Sequence, residues 1–170
     1  VIDKSVQKMR SRHPHIFLKD SSIKSIEDVN NFWELQKKNE RKKKGANSIL
    51  DGVSISLPAV TRSIKLQKRA AKEGFDWKKP EDTLKKVKEE LNELTFEMKA
   101  NNKKKIREEL GDLLFSCINL SRKLGIDTET VIRESNRKFE KRFKKMEKKM
   151  NKKSLKWELK NLEKEWQNSK

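Results

Sequence analysis

Residues 89–112 read EELNELTFEMKANNKKKIREELGD, and this stretch decides the fold. Two acid-rich segments are separated by Asn101 and Asn102, whose weak helix propensity predicts a break in the chain. Apolar residues recur at helical spacing on both sides of the break, from Leu84 to Met98 and from Ile106 to Leu120. The sequence therefore predicts two long helices that pack against each other as an antiparallel hairpin.

Further helices are predicted on both sides of this hairpin, bounded by glycine, proline and capping residues. The chain has no tyrosine and few glycines and prolines, so it lacks the residues that several strands and their turns need. The sequence predicts an all-α helical bundle, with residues 1–57 as an N-terminal linker segment that contains one long helix, and residues 58–170 as the main helical domain. The expected helices cover about Ser25 to Lys44, Ala59 to Glu73, Pro80 to Ala100, Lys103 to Leu124, Asp127 or Thr128 to Lys149, and Ser154 to Trp166.

The net charge of +18 is the most unusual bulk property of the chain. Clustered basic residues attract nucleic acid, but here lysines outnumber arginines and are spread over the whole chain, which favours a solvated surface. No apolar stretch approaches the roughly 20 residues that a membrane span needs. The single cysteine, Cys117, excludes an internal disulfide and indicates a reducing cytoplasm. Its apolar neighbours predict that it packs in the core.

Acidic side chains on the two hairpin helices form the main candidate site. Residues three apart lie on one helix face, so Glu90 with Glu93, and Glu109 with Asp112, form two pairs that converge if the helices are antiparallel. Four converging carboxylates repel one another unless a cation binds between them. Ligation by carboxylate oxygens alone favours Mg²⁺, with Mn²⁺ as an alternative.

Two other interpretations of these acids stay open at this point. The acids could be exposed partners of lysines such as Lys85 and Lys86. A di-iron carboxylate site would require Glu-x-x-His motifs, and neither hairpin helix contains histidine. The fifth predicted helix adds cations at helical spacing, namely Lys138, Arg142 and Lys145, which suit a triphosphate or form a solvated basic face.

The sequence resembles the MazG family of nucleoside triphosphate pyrophosphohydrolases. Its acids fit the family's signature of E-E-x-x-E, a spacer and E-x-x-D. Longer segments carry most of the resemblance: HPHIF (13–17), SLPAVTRSIKLQKRAAKEGFDW (56–77), EELGDLLFSCINLSRKLGID (108–127), NRKFEKRF (136–143) and EKEWQ (163–167).

The resemblance implies a role for each matching residue. Glu90, Glu93, Glu109 and Asp112 match the family's magnesium ligands, and either Glu89 or Glu108 would activate the attacking water. The residues that would bind the nucleotide are Lys138, Arg142, Trp166 and Lys37, with Trp166 closing over the base.

The resemblance also implies a helical bundle that forms a homodimer and hydrolyses nucleoside triphosphates to monophosphate and pyrophosphate, with residues 58–170 as the catalytic domain. The chain resembles the C-terminal half of two-domain members, and its start at Val1 predicts a fragment of a longer protein. One alternative is a basic nucleic-acid-binding module on a degenerate enzyme scaffold. Another is a narrower pyrophosphatase for dUTP, dCTP or a damaged nucleotide.

Overall fold

The computed structural model of the protein describes residues 2–12 and 47–169, together with residues 16, 25, 28, 32, 35, 36, 39 and 45 between them. Residues 1–55 and 56–170 form two compact units. In the first unit, helix α1 covers Ile2–Arg12, which the sequence analysis did not predict. The helix predicted at residues 25–44 lies largely outside the described residues, and Lys37 lies outside them. The assignment of residues 1–57 to a linker segment stays a prediction.

The second unit is built from helices, and the predicted all-α class is confirmed. The described residues contain no strand, and none of their helices is long and apolar enough to cross a membrane. A cytoplasmic location stays a prediction. The helices of this unit are α2 (Ala59–Lys72), α3 (Pro80–Lys99), α4 (Lys103–Lys123), α5 (Thr128–Lys152) and α6 (Leu159–Gln167).

Most helix boundaries follow from local chemistry. Pro80 lies in the first turn of α3, where its missing N–H is not needed. The side chain of Asn102 accepts a hydrogen bond from the backbone N–H of Lys105 at the start of α4. Asp127 caps α5 in the same way. The prediction that the last helix starts at Ser154 is wrong: Ser154 has a φ of 50°, in the left-handed region, so the chain turns there and α6 begins only at Leu159.

Helices α3 and α4 form the most extensively packed pair, as the three-residue connection between them predicts. Helix α4 also packs against α2 and α5, and α5 packs against α6. The amide of Gln67 on α2 donates a hydrogen bond of 3.0 Å to the carbonyl of Phe115 on α4. These contacts place α4 at the centre of the unit, with the two acid-bearing segments side by side.

The joint between α2 and α3 is tied to the end of α4 by an ion-pair cluster. The carboxylate of Asp76 lies 2.6 Å from Arg122 and 3.1 Å from Lys123. Burial raises the pKa of Asp76, but the hydrogen bonds from Arg122 and Lys123 outweigh it, so the pKa lies below its usual value. The cluster therefore holds the start of α3, and with it the acids further along α3, against α4.

The hairpin leaves much of its apolar surface uncovered. Within residues 56–169, the buried apolar side chains are Leu94, Met146 and Met150. Cys117 is exposed, so its predicted place in the core is wrong for the single chain. The apolar residues that the sequence places on one face of each hairpin helix are largely exposed; we call them the hairpin stripe, and they are Leu84, Leu91, Met98, Leu110 and Leu114.

Candidate active site

Three of the predicted metal ligands come together between α3 and α4. Glu90, Glu109 and Asp112 each offer a carboxylate oxygen, and these oxygens all lie within 4.8 Å of one another. We call these three residues the carboxylate group. Glu90 is buried, with 5% of its surface exposed, whereas Asp112 is open to solvent. The group therefore has one inner ligand and an outer side that a small molecule can approach.

Glu93 lies at the edge of this group rather than within it. Burial raises the pKa of Glu109, and the charge of Glu93 and a hydrogen bond with it raise that pKa further. Asp112 acts in the same direction. The carboxylates of Glu93 and Asp112 thus add to the effect of burial on Glu109.

Lys86 supplies positive charge on the inner side of the group. Its ammonium lies 2.8 Å from Glu90 and 2.7 Å from Glu89. The hydrogen bonds that Lys86 donates to Glu89 and Glu90 raise the pKa of Lys86 well above its usual value, so it stays protonated at neutral pH. The interpretation of these acids as lysine partners therefore also holds in part, because Glu89 and Glu90 share Lys86.

Glu108, the other predicted water-activating acid, forms an exposed pair with Lys105 at 3.0 Å. The hydrogen bond from Lys105 lowers the pKa of Glu108 below its usual value. A lower pKa makes a carboxylate a weaker base. Glu108 is therefore less suited to remove a proton from water than its position in the motif suggests.

The donor set fits a small divalent cation. All ligand atoms are carboxylate oxygens, which suit Mg²⁺ or Mn²⁺ better than zinc or copper. The three carboxylate oxygens lie at most 4.8 Å apart, so small side-chain movements would bring each of them to the distance of about 2.1 Å at which Mg²⁺ is bound. The three carboxylates and Glu93 outnumber the neighbouring cations Lys86 and Lys105, and this negative balance favours such a cation.

A second candidate subsite lies between α5 and α6. Four aromatic rings, together with Met146 and Leu162, line an apolar cavity of about 260 Å³. We call it the aromatic slot, and its rings belong to Phe139, Phe143, Trp157 and Trp166. The ring centroids of Phe139 and Trp166 lie 5.4 Å apart, and those of Phe143 and Trp157 lie 6.4 Å apart.

The predicted phosphate-binding cations differ in their surroundings. Arg142 donates two hydrogen bonds, of 3.1 and 2.8 Å, to the carbonyl of Trp166, and its guanidinium lies 4.0 Å from the centroid of the Trp166 ring. Lys138 is exposed and has no ion-pair partner among the described residues. The structure thus joins Arg142 and Trp166 directly, whereas Lys138 has no such contact among the described residues.

Sequence reasoning missed one buried charge in this region. Glu165 is 1% exposed, and its carboxylate lies 2.6 Å from Lys153. It belongs to a segment rich in lysine and glutamate, where an acid is normally a solvated surface residue. Only the packing of α6 on α5 shows that it points inward.

Comparison with known proteins gives consistent matches. Residues 78–147 match the model of the MazG nucleotide pyrophosphohydrolase domain, a span that contains the whole carboxylate group. A nucleoside triphosphate pyrophosphohydrolase of Escherichia coli K12 is 39% identical over 136 residues, which are 79% of this chain and 51% of that protein. The nucleoside triphosphate pyrophosphohydrolase/pyrophosphatase MazG of Thermotoga maritima is 39% identical over 133 residues, or 78% of this chain and 49% of that protein. The chain thus spans about half the length of these curated relatives.

Proposed function

The chain is a member of the MazG family and carries its nucleotide pyrophosphohydrolase domain, and from this premise we propose that it hydrolyses nucleoside triphosphates to the monophosphate and pyrophosphate. The observation that carries the proposal is the carboxylate group, which lies inside the matched domain and gathers three acids around one point. Metal-assisted hydrolysis needs such a group beside a place for the nucleotide.

We propose that Mg²⁺, or Mn²⁺, binds to Glu90, Glu109 and Asp112, with Glu93 completing the set. When bound, the cation would neutralise phosphate charge and lower the pKa of a water molecule. The remaining roles, positioning of the ligands and contact with the substrate, belong to residues of the chain. The ion pair with Lys86 holds the carboxylate of Glu90 in place, while the exposed carboxylate of Asp112 faces the side from which the substrate approaches.

Glu89 is the better candidate to orient the attacking water. It shares Lys86 with the inner ligand Glu90, so its carboxylate is held near the group. Both acids are bound to a lysine, Glu89 to Lys86 at 2.7 Å and Glu108 to Lys105 at 3.0 Å, but of these two lysines only Lys86 also forms an ion pair with a member of the carboxylate group. We therefore assign the positioning of water and acceptance of its proton to Glu89, with Glu108 as the alternative.

We propose that the aromatic slot takes the nucleobase. Its volume is below the roughly 300–1,000 Å³ of a pocket for a whole drug-sized ligand, so it suits a planar fragment. Stacking on Trp166 would accept any base, because every base has a π-face. Lys138 and Arg142 would then contact the phosphates, and Arg142 would keep its position beside the Trp166 ring through its carbonyl contact.

The role of Lys138 leads to a kinetic prediction. Lys138→Ala is expected to raise the KM for ATP about tenfold, since it removes one charge-assisted contact to the phosphates. Steady-state kinetics at constant Mg²⁺ measure this change. The matched control is Lys144→Ala, another exposed lysine of α5 on a different side of the helix. Equal KM values for the two variants would contradict the assignment.

We propose that a second copy of the chain covers the hairpin stripe. Leu84, Leu91 and Met98 repeat every seven residues and so lie along one line of α3, and Leu114 of α4 is 57% exposed. Monomeric proteins rarely expose contiguous apolar surface of this kind. The stripe lies on the same two helices as the carboxylate group, so dimerisation would also support the acid-bearing hairpin.

Leu114→Asp is therefore expected to convert the dimer into a monomer, because it buries a charge in an apolar interface. Sedimentation velocity measures the change. The control is Phe96→Asp, which alters an exposed residue of α3 about 120–160° around the helix from the stripe. A wild-type protein that sediments as a monomer at all concentrations would contradict the proposed dimer.

The proposed reaction is tested by a pyrophosphate-release screen over the common ribo- and deoxyribonucleoside triphosphates with Mg²⁺. We expect monophosphate and pyrophosphate from several bases. Turnover of only dUTP, dCTP or an altered nucleotide would favour the narrower pyrophosphatase. Release of orthophosphate would reject the cleavage between the α- and β-phosphates. No turnover, combined with duplex binding that falls steeply with salt, would favour the nucleic-acid-binding alternative.

A further inference from the structure

A row of cations on α5 contacts the C-terminal end of α6. Arg142 donates to the carbonyl of Trp166, and Lys149 donates to the carbonyl of Asn168. Lys153, the residue that follows the end of α5, completes the row, with its ammonium 2.6 Å from the carboxylate of Glu165. The last carbonyls of a helix lack partners within the helix and carry partial negative charge, so cations stabilise them. The row therefore attaches a short helix to a long one.

The Lys153–Glu165 pair differs from the other two contacts because it joins two side chains, one of which is exposed and the other buried. The Glu165 side chain is 2% exposed, whereas that of Lys153 is 52% exposed. The hydrogen bond from Lys153 lowers the pKa of Glu165 more strongly than burial raises it, so the acid is ionised inside the unit. A buried carboxylate is unfavourable unless a cation pairs with it. Lys153 is thus the main partner that allows Glu165 to point inward, and Lys149 and Asn168 add smaller contributions.

The direction in which the Glu165 side chain points also fixes the direction in which the Trp166 side chain points. The two residues are neighbours on one helix, so their side chains are about 100° apart around its axis. Helix α6 has only nine residues, and its first turn has no side-chain cap. A helix of this length does not hold its orientation by itself, so its rotation depends on contacts with α5.

We propose that Lys153 and Glu165 are positioning residues that set the rotation of α6 and thereby hold the Trp166 ring at the aromatic slot. The ring then lies between Phe139, at 5.4 Å, and the Arg142 guanidinium, at 4.0 Å. The kinetic consequence rests on the proposed function, in which Trp166 stacks on the nucleobase. When Glu165 is left charged without Lys153, α6 remains attached through Arg142 and Lys149 but loses its fixed rotation, because the carboxylate turns toward water.

The proposal is tested with Lys153→Met, which leaves Glu165 buried without a cation. The matched control is Lys152→Met, the neighbouring exposed lysine, which has no ion-pair partner among the described residues. Both are made in the whole 170-residue chain with Trp33→Phe and Trp77→Phe, so that Trp157 and Trp166 report on the slot. Two further variants keep the test decisive if Lys153→Met folds poorly. Lys153→Arg retains the cation, and Lys153→Met with Glu165→Leu replaces the pair by apolar side chains, which is often neutral for stability.

We expect three results below the melting temperature of each variant. Lys153→Met shifts the tryptophan emission of the nucleotide-free protein to longer wavelength and increases quenching by acrylamide. It raises the KM for ATP about tenfold, as loss of base stacking predicts, and changes kcat less than about twofold. Binding of Mn²⁺ without nucleotide stays unchanged, because the carboxylate group lies on α3 and α4. Lys153→Arg and the double variant return the emission to that of the wild type.

Other outcomes overturn the proposal. Identical emission and KM for Lys153→Met and Lys152→Met would show that the pair does not position Trp166. A fall in kcat with unchanged KM would show an effect other than base binding. If the wild type hydrolyses no triphosphate, the proposed function fails on its own. The emission of the nucleotide-free variants then still tests whether Lys153 and Glu165 position Trp166. An emission shift in Lys153→Met but not in Lys152→Met supports this role, and the absence of a shift in Lys153→Met refutes it.

Discussion

Glu90→Gln is expected to lower kcat about a hundredfold or more, with the fold retained. Glu90 is the buried member of the carboxylate group, so no water-exposed acid can replace it. Loss of a residue that only supports a metal ligand already costs about 10- to 100-fold in metal affinity or activity. Loss of the inner ligand should cost at least as much. Glutamine has the same shape, and Lys86 keeps its contact with Glu89, so packing is preserved.

Pyrophosphate release at saturating ATP and Mg²⁺ measures this loss, and circular dichroism checks the fold. Glu81→Gln is the matched control, because it removes an exposed acid from the first turn of the same helix. Excess chelator should abolish wild-type turnover. If Glu90→Gln keeps half of the wild-type activity, or if turnover persists in chelator, the metal site has been assigned to the wrong residues.

Addition of millimolar Mg²⁺ is expected to raise the melting temperature by several degrees, and Mn²⁺ should act in the same way. A ligand that binds only the folded state at a hundredfold excess over its Kd stabilises that state by about 2.7 kcal/mol. In a chain of this length, about 1 kcal/mol corresponds to roughly 2–4 °C. Burial is the largest cause of the raised pKa of Glu109, and repulsion from Glu93 and Asp112 adds to it. A bound metal ion also removes this repulsion.

The double variant Glu109→Gln with Asp112→Asn separates this explanation from a general salt effect. It should melt higher than the wild type without metal, because both mutually repelling charges are gone, and it should not respond to Mg²⁺. The control is Glu134→Gln with Glu140→Gln, two exposed acids of α5. We expect that control to keep the full metal response. Differential scanning fluorimetry measures all three proteins, and a wild-type melting curve indifferent to tens of millimolar Mg²⁺ would contradict the site.

The sequence by itself determined the elements that depend on neighbouring residues. Pro80, Asn102 and Asp127 set helix starts through their own backbone and side-chain chemistry, and the structure has helices starting at or next to each of them. The spacing of Glu109 and Asp112 places both acids on one face of α4 wherever that helix packs. The family could be recognised for the same reason, since its motifs are short runs of adjacent residues.

Only the tertiary structure decided which side chains meet across helices. No local pattern shows that Arg142 contacts Trp166, that Glu93 stays at the edge of the carboxylate group, or that Glu165 is buried. Cys117, in an apolar run, is nevertheless exposed. Local propensity depends on residues within one helical turn, whereas burial depends on which face of a helix another helix covers. A charged residue such as Glu165 becomes an interior residue only because α6 packs on α5 with Lys153 opposite it.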